Sequence, residues 1–126
     1  MKLLLDTHAG YWWLGGMPDM SKKARKAIEG AGAGDVFFSA ASCYEIELKT
    51  AANKMTPLPG AYVDLARSQS FVELAISARH ADLAARLPSS HKDPWDRILA
   101  AQAIAEGMTV VTRDPRIAAL GATALW

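Results

Sequence analysis

Short apolar runs alternate with helical patterns along the whole chain. Leu3-Leu4-Leu5 follows Lys2 and stops at Asp6. A run that short and unbroken suits a buried strand, although leucine runs are also compatible with helix. Thr7 to Leu14 then predicts a short helix, stopped by Gly15-Gly16 and Pro18. Ser21 fits an N-cap for a basic helix over Lys22 to Glu29, which Gly30, Gly32 and Gly34 break. Asp35 to Ser39 is the second strand, with β-branched and aromatic residues. Ala40 to Asn53 follows as a helix of good formers. Met55 to Gly60 is a loop. Ala61 to Gln69 predicts a helix, Phe71 to Ile76 a third strand, and Ser77 a cap for a helix over Ala78 to Leu87. After the loop Pro88 to His91, a helix runs from about Asp93 to Glu106, with Gly107 where its C-cap belongs. Met108 to Thr112 is the fourth strand, Pro115 to Leu120 a short helix, and Thr123 to Trp126 a last edge strand.

Such alternation with short loops predicts an α/β domain around a mostly parallel sheet. No repeat, linker or second domain interrupts it, so residues 1–126 read as one domain. The length of 126 residues agrees, since roughly 100–200 residues make one domain. Hydrophobic residues at 51% and charged residues at 21% exclude disordered and low-complexity classes. One cysteine, Cys43, excludes an internal disulfide framework and a Cys-rich zinc site. No apolar run reaches the ~18–20 residues of a membrane helix. Asp6 comes too early for the core of a signal peptide. The simplest location is therefore the cytoplasm. Fourteen basic against 13 acidic residues, a formal charge of +1, indicate no global attraction to nucleic acid, though they leave room for a local patch.

In parallel sheets ligands bind beyond the carboxyl ends of the strands. The polar residues found there are Asp6, then Ser39 and Glu45, then Asp114. Asp6 reads equally as an acid of that edge and as the N-cap of the helix from Thr7. Glu45 either enters the cleft or closes a capping box with Ser42. Glu47 points the other way. Lys49, one turn past Glu45, reads as a partner of Glu45 or of a phosphate, or as a solvated helix charge, the last slightly preferred. Asp93-Pro94 fits a cap followed by Pro at the first helical position, which leaves Asp96 as the functional acid. Asp114-Pro115 repeats that pattern, and Thr112 ends the strand with a hydroxyl to offer a carboxylate. Asp and Glu gathered without nearby Cys or His ligands suit a hard divalent cation, Mg2+ or Mn2+. Such ions activate water and support displacement at phosphorus. Neither G-x-x-x-x-G-K-S/T nor G-x-G-x-x-G occurs, so nucleotide-binding loops find no support.

Leu3 to Ala9 (LLLDTHA), Ser39 to Lys49 (SAASCYEIELK), His91 to Ala103 (HKDPWDRILAAQA) and Val110 to Asp114 (VVTRD) resemble the PIN-domain proteins, and among them the VapC-type toxins of bacterial toxin–antitoxin modules. The resemblance covers nearly the whole chain in the right order. It implies an α/β/α sandwich and a homodimer. It also implies a Mg2+-dependent endoribonuclease, with Mn2+ as substitute, held silent by a cognate antitoxin. The four acids of the family fall on Asp6, Glu45, Asp96 and Asp114, and its supporting hydroxyl on Thr112. Asp6, Asp96 and Asp114 would bind the metal, while Glu45 would orient or deprotonate water or complete the metal shell. The implied products carry a 5′-phosphate and a 3′-hydroxyl. Gly10 replaces a bulky aliphatic common in the family, which would loosen the first helix or a partner surface.

Other residues have a structural and a functional reading. Trp12 and Trp13 suit a partner surface, with core burial the stronger reading for at least one of them. Lys22, Lys23, Arg25 and Lys26 suit RNA phosphates or a solvated helix face. Arg97 and Arg113 either hold a phosphate or pair with Asp93, Asp96 or Asp114. Cys43 is read as a small buried apolar residue. Three rival functions remain: an RNA-processing PIN nuclease without an antitoxin, an idle PIN-like binding module, and a phosphoacceptor receiver domain. The receiver fits least, because Asp6 is followed by Thr7 and the third strand runs into Ser77.

Overall fold

The computed structural model describes residues 1–126. Its strands are β1 (Leu3–Leu5), β2 (Val36–Ser39), β3 (Val72–Leu74), β4 (Thr109–Val111) and β5 (Ala124–Leu125). Its helices are α1 (Thr7–Leu14), α2 (Lys22–Glu29), α3 (Ala40–Ala51), α4 (Tyr62–Ser68), α5 (Ala78–Arg86), α6 (Pro94–Glu106) and α7 (Pro115–Ala119). The strands form one sheet, parallel throughout, in the order β3-β2-β1-β4-β5. Every expected element is present. Ends differ by a few residues: α5 stops at Arg86, because Leu87 precedes Pro88 and is held extended.

Side chains alternate across the strands and so build two cores. Leu3, Leu5, Val36, Phe38 and Val111 pack under α1, α2, α3 and α4. Leu4 and Val110 pack on the other face under α5, α6 and α7. This is the α/β/α sandwich. On α6, five consecutive residues, Leu99 to Ala103, are buried. Its alanines let it lie close among α3, α5 and α7.

Gly10 has a packing role that the sequence did not disclose. A Cβ built there would overlap the Tyr62 hydroxyl. Tyr62 itself is only 1% exposed. Glycine thus lets α1 and α4 approach, and the expected loosening of α1 is replaced by close contact. The Tyr62 hydroxyl has no hydrogen-bond partner. Trp12 is buried in the first core, and Trp13 is partly buried against it. Cys43 is half-buried at the core edge rather than enclosed. Lys22 and Lys23 lie on the exposed face of α2, and the Arg25 guanidinium sits 5.8 Å from the Trp13 ring centre.

Candidate active site

The chain winds from β1 outward to β2 and β3, then returns through α5 and α6 to β4 on the other side of β1. The carboxyl ends of β1 and β4 therefore open a crevice where the winding reverses, the usual ligand position of an open parallel sheet. Asp6 sits at that point. Its Oδ1 accepts the Ala9 amide at 2.8 Å, and its Oδ2 accepts the Thr112 hydroxyl at 2.5 Å. Asp6 thus both caps α1 and lines the crevice. Burial pushes its pKa from 3.8 up to about 6, against the two hydrogen bonds and with help from the charges of Asp96 and Asp114.

Thr112 ties the two strand ends together, since its oxygen also accepts the Asp114 amide at 3.0 Å. Asp114 caps α7 by accepting the Arg116 amide. The Arg116 guanidinium lies 2.8 Å from Asp114 Oδ2 and holds that carboxyl below its ordinary pKa. Asp93 caps α6 through the Trp95 and Asp96 amides. Asp96 in the first turn is thereby free to face the crevice. Burial raises its pKa, opposed by the His91 ring, whose Nε2 lies 2.7 Å from Oδ2.

Glu45 does not close a capping box. The cap of α3 is Ser39, whose hydroxyl accepts the Ala41 amide. Glu45 is buried, and its Oε1 accepts the Thr7 hydroxyl at 2.6 Å. The Thr7 proton is used there, so Ser42, 3.1 Å away, donates to Thr7. Lys49 takes the pairing reading rather than the solvated one: its ammonium lies 2.7 Å from Glu45 Oε2.

Asp6, Glu45, Asp93, Asp96 and Asp114 line one cavity of about 140 Å³ with no hydrophobic side chain in its wall. The donor chemistry fits a hard cation: every candidate ligand is a carboxylate oxygen, and a cation would restore the ionised form that burial disfavours at Asp6. As the side chains stand, no three of them gather close enough to hold one ion. Glu45, Asp96 and Asp114 are turned instead to Lys49, the His91 ring and Arg116.

A family model of the PIN domain matches residues 3–122. The chain belongs to the PIN-domain family. This PIN domain is 33% identical over 119 residues to Ribonuclease VapC22 of Mycobacterium tuberculosis, covering 91% of this chain and 88% of that protein. Among solved structures it resembles FitAcB from Neisseria gonorrhoeae, with a TM-score of 0.70 at 21% identity over 98% of this chain and 96% of the other. VapBC2 from Rickettsia felis, bound to a promoter DNA fragment, gives a TM-score of 0.68 at 17% identity over 99% and 98%. Mycobacterium tuberculosis VapC20, described as a sarcin–ricin loop cleaving toxin, gives 0.65 at 16% over 97% of each chain. These structural likenesses establish the fold.

Thr7, Ser42 and His91 join the site of this PIN domain without having been singled out as members of it. Thr7 directly follows Asp6, and Ser42 stands one turn before Glu45, so spacing carried a signal for both. His91 reaches Asp96 from a loop, where no periodicity applies. Arg97 departs from both of its expected roles: it pairs with no acid. Its guanidinium donates to the carbonyls of Ala84, Leu87, Ser89 and His91 at 2.7–3.2 Å. Arg113 also pairs with no acid and lies 4.6 Å from the Trp12 ring centre.

Proposed function

We propose that this chain is the toxin of a toxin–antitoxin pair, an endoribonuclease that hydrolyses RNA at the acidic cavity with Mg2+ or, as substitute, Mn2+. The observation that carries this reading is the convergence of Asp6, Glu45, Asp96 and Asp114 on one wholly polar cavity where the sheet winding reverses. The 33% identity to a ribonuclease supports the activity, and the likeness to toxin–antitoxin complexes supports an antitoxin partner. Asp6, Asp96 and Asp114 would hold the ion. When bound, it would stabilise the charge that develops at phosphorus and lower the pKa of water.

The protein's own groups account for the rest. Thr112 and the start of α1 fix Asp6 in one rotamer. Thr7 and Lys49 fix Glu45, whose oxygens keep lone pairs free to accept a proton from the attacking water. Lys49 and Arg116 stand in the same wall, each paired with one of its acids. Hydrolysis leaves a 5′-phosphate and a 3′-hydroxyl. A second copy of the chain is the other proposed partner: Tyr44 and Leu48, one turn apart on α3 and both exposed, are apolar surface that such a contact would cover. No helix is long and apolar enough to cross a membrane. The proposed place of action is the cytoplasm, where the RNA is.

The test is sequencing of RNA ends after brief expression, followed by cleavage with purified protein in Mg2+ and in EDTA. Asp6→Asn, Asp96→Asn and Asp114→Asn should each abolish cleavage. Cleavage that persists in excess EDTA, or full activity in all three variants, would overturn the reading.

A further inference from the structure

We propose that a second pocket beside the acidic cavity, formed by His8, Trp12 and Arg113, is the subsite for the nucleotide next to the scissile phosphate. This rests on the ribonuclease reading and deepens it. The pocket has a volume of about 320 Å³ and is lined by Asp6, His8, Trp12, Arg113, Asp114 and Pro115. That is within the size of ligand clefts, which begin at roughly 300 Å³. It shares Asp6, His8 and Asp114 with the acidic cavity. Whatever occupies it is therefore an immediate neighbour of the group held by the acids.

Its chemistry is that of a single-stranded RNA site. The acidic cavity repels a phosphodiester, so a nearby cation must hold the strand. Three cationic side chains line the two pockets, Lys49, Arg113 and Arg116. Lys49 is taken by Glu45 and Arg116 by Asp114. Arg113 makes neither an ion pair nor a hydrogen bond. Its guanidinium is exposed and held over the Trp12 ring at 4.6 Å, with its N–H groups free for phosphate oxygens. Resting on an aromatic ring also restricts its rotamers before any ligand arrives. His8, exposed and one turn before Trp12 on α1, has its ring 5.6 Å from the Trp12 ring and tilted by 44°. The Trp126 ring packs against Trp12 as well, 5.7 Å between centres. Unpaired bases stack on such aromatic rings and on arginine planes. The His8 ring and the outer plane of Arg113 are the surfaces left open to a base.

The test uses the full chain and two readouts. His8 and Arg113 are exposed, so His8→Ala and Arg113→Ala should keep the wild-type unfolding midpoint. In EDTA, fluorescence anisotropy follows binding of a short single-stranded RNA of randomised sequence. Arg113→Ala should weaken binding by about tenfold and His8→Ala by several-fold. Arg113→Lys should recover only part of the loss, because an ammonium group still meets phosphate but does not stack. With an abasic oligomer of the same length the His8→Ala effect should vanish while the Arg113→Ala effect persists. With Mg2+, mapped cleavage sites should lose their preference at one flanking nucleotide in both variants. Wild-type cleavage with binding and flanking preference unchanged in both variants would overturn the subsite and leave the ribonuclease reading intact. No cleavage in any divalent ion, with base-dependent binding still lost in the variants, would remove the ribonuclease reading and keep an RNA-binding pocket. Failure of both variants to retain a co-produced antitoxin, with RNA binding unaltered, would assign the pocket to a protein and overturn the proposal.

Discussion

Asp6→Asn should make the metal-free protein more stable at neutral pH and less stable in acid. Asp6 is 8% exposed, and its folded pKa is about 6 against 3.8 for the free side chain. The folded state therefore binds a proton more tightly than the unfolded state. The stabilising contribution of that proton is complete below pH 3.8 and lost as the pH rises through about 6. At ~1.4 kcal/mol per pKa unit, the ionised carboxylate costs the folded protein up to about 3 kcal/mol at pH 7.5. Asparagine keeps the same shape. Its Oδ1 still accepts the Ala9 amide, so α1 stays capped. Its Nδ2 meets Thr112 Oγ1, which already accepts the Asp114 amide; turning the Thr112 proton elsewhere costs about 1–2 kcal/mol.

The net gain at pH 7.5 is then about 1 kcal/mol, or roughly 3–5 °C in the unfolding midpoint for a domain of this size. Below about pH 4 only the hydrogen-bond loss remains, and wild type should be the more stable protein. Thermal unfolding of both in EDTA, from pH 4 to pH 7.5, should show the two curves crossing. Millimolar Mg2+ should then raise the wild-type midpoint through binding to the folded state, and raise Asp6→Asn much less. A variant that is less stable by the same margin at every pH, with Mg2+ shifting both proteins equally, would reduce Asp6 to a helix cap.

Two further perturbations probe the frame that holds the site. Gly10→Ala should cost about 2 kcal/mol in urea unfolding, because the overlap with Tyr62 outweighs the better helix propensity of alanine. Tyr62→Phe should gain about 1 kcal/mol by deleting a buried hydroxyl without a partner, and should recover part of the Gly10→Ala loss. A double variant no better than Gly10→Ala would place the clash elsewhere. Arg97→Ala should cost about 3 kcal/mol, and Arg97→Lys nearly as much, since one ammonium cannot reach the carbonyls of α5 and of the loop after it together. Hydrogen exchange should localise the loss to residues 87–92; uniform loss would refute the local role.

Local signals carried most of the fold. Strands of three or four residues were legible because apolar runs ended in Asp6, Ser39 or Thr112, and helices because Ser21, Ser77, Asp93 and Asp114 occupy cap positions with backbone amides in reach. The acids were legible for the same reason, since caps and strand ends lie where a parallel sheet places its crevice. Contacts distant in sequence left no such trace. Thr7 meets Glu45 across 38 residues, and Gly10 meets Tyr62 between two helices whose crossing no periodicity encodes. The Ser42 to Glu45 spacing imitated a cap because α3 begins at Ala40, one turn before Glu45 could serve as a reciprocal partner for Ser39. Arg97 misled in another way: charge next to charge in sequence suggested an ion pair, but the helix carries its guanidinium to the unpaired carbonyls at the end of α5.

The order in which the sheet fills has a consequence for synthesis. β1 leaves the ribosome first but lies at the centre, and its partner on the acidic side, β4, emerges more than a hundred residues later. A nascent chain can pair β1 with β2 and β3 and bring Glu45 toward Asp6, yet it has no Asp114 and no Thr112 hydroxyl to hold Asp6. The crevice has only one wall until β4 and the start of α7 have emerged. On the ribonuclease reading, the site stays incomplete on the nascent chain, and cleavage has to wait until β4 docks beside β1.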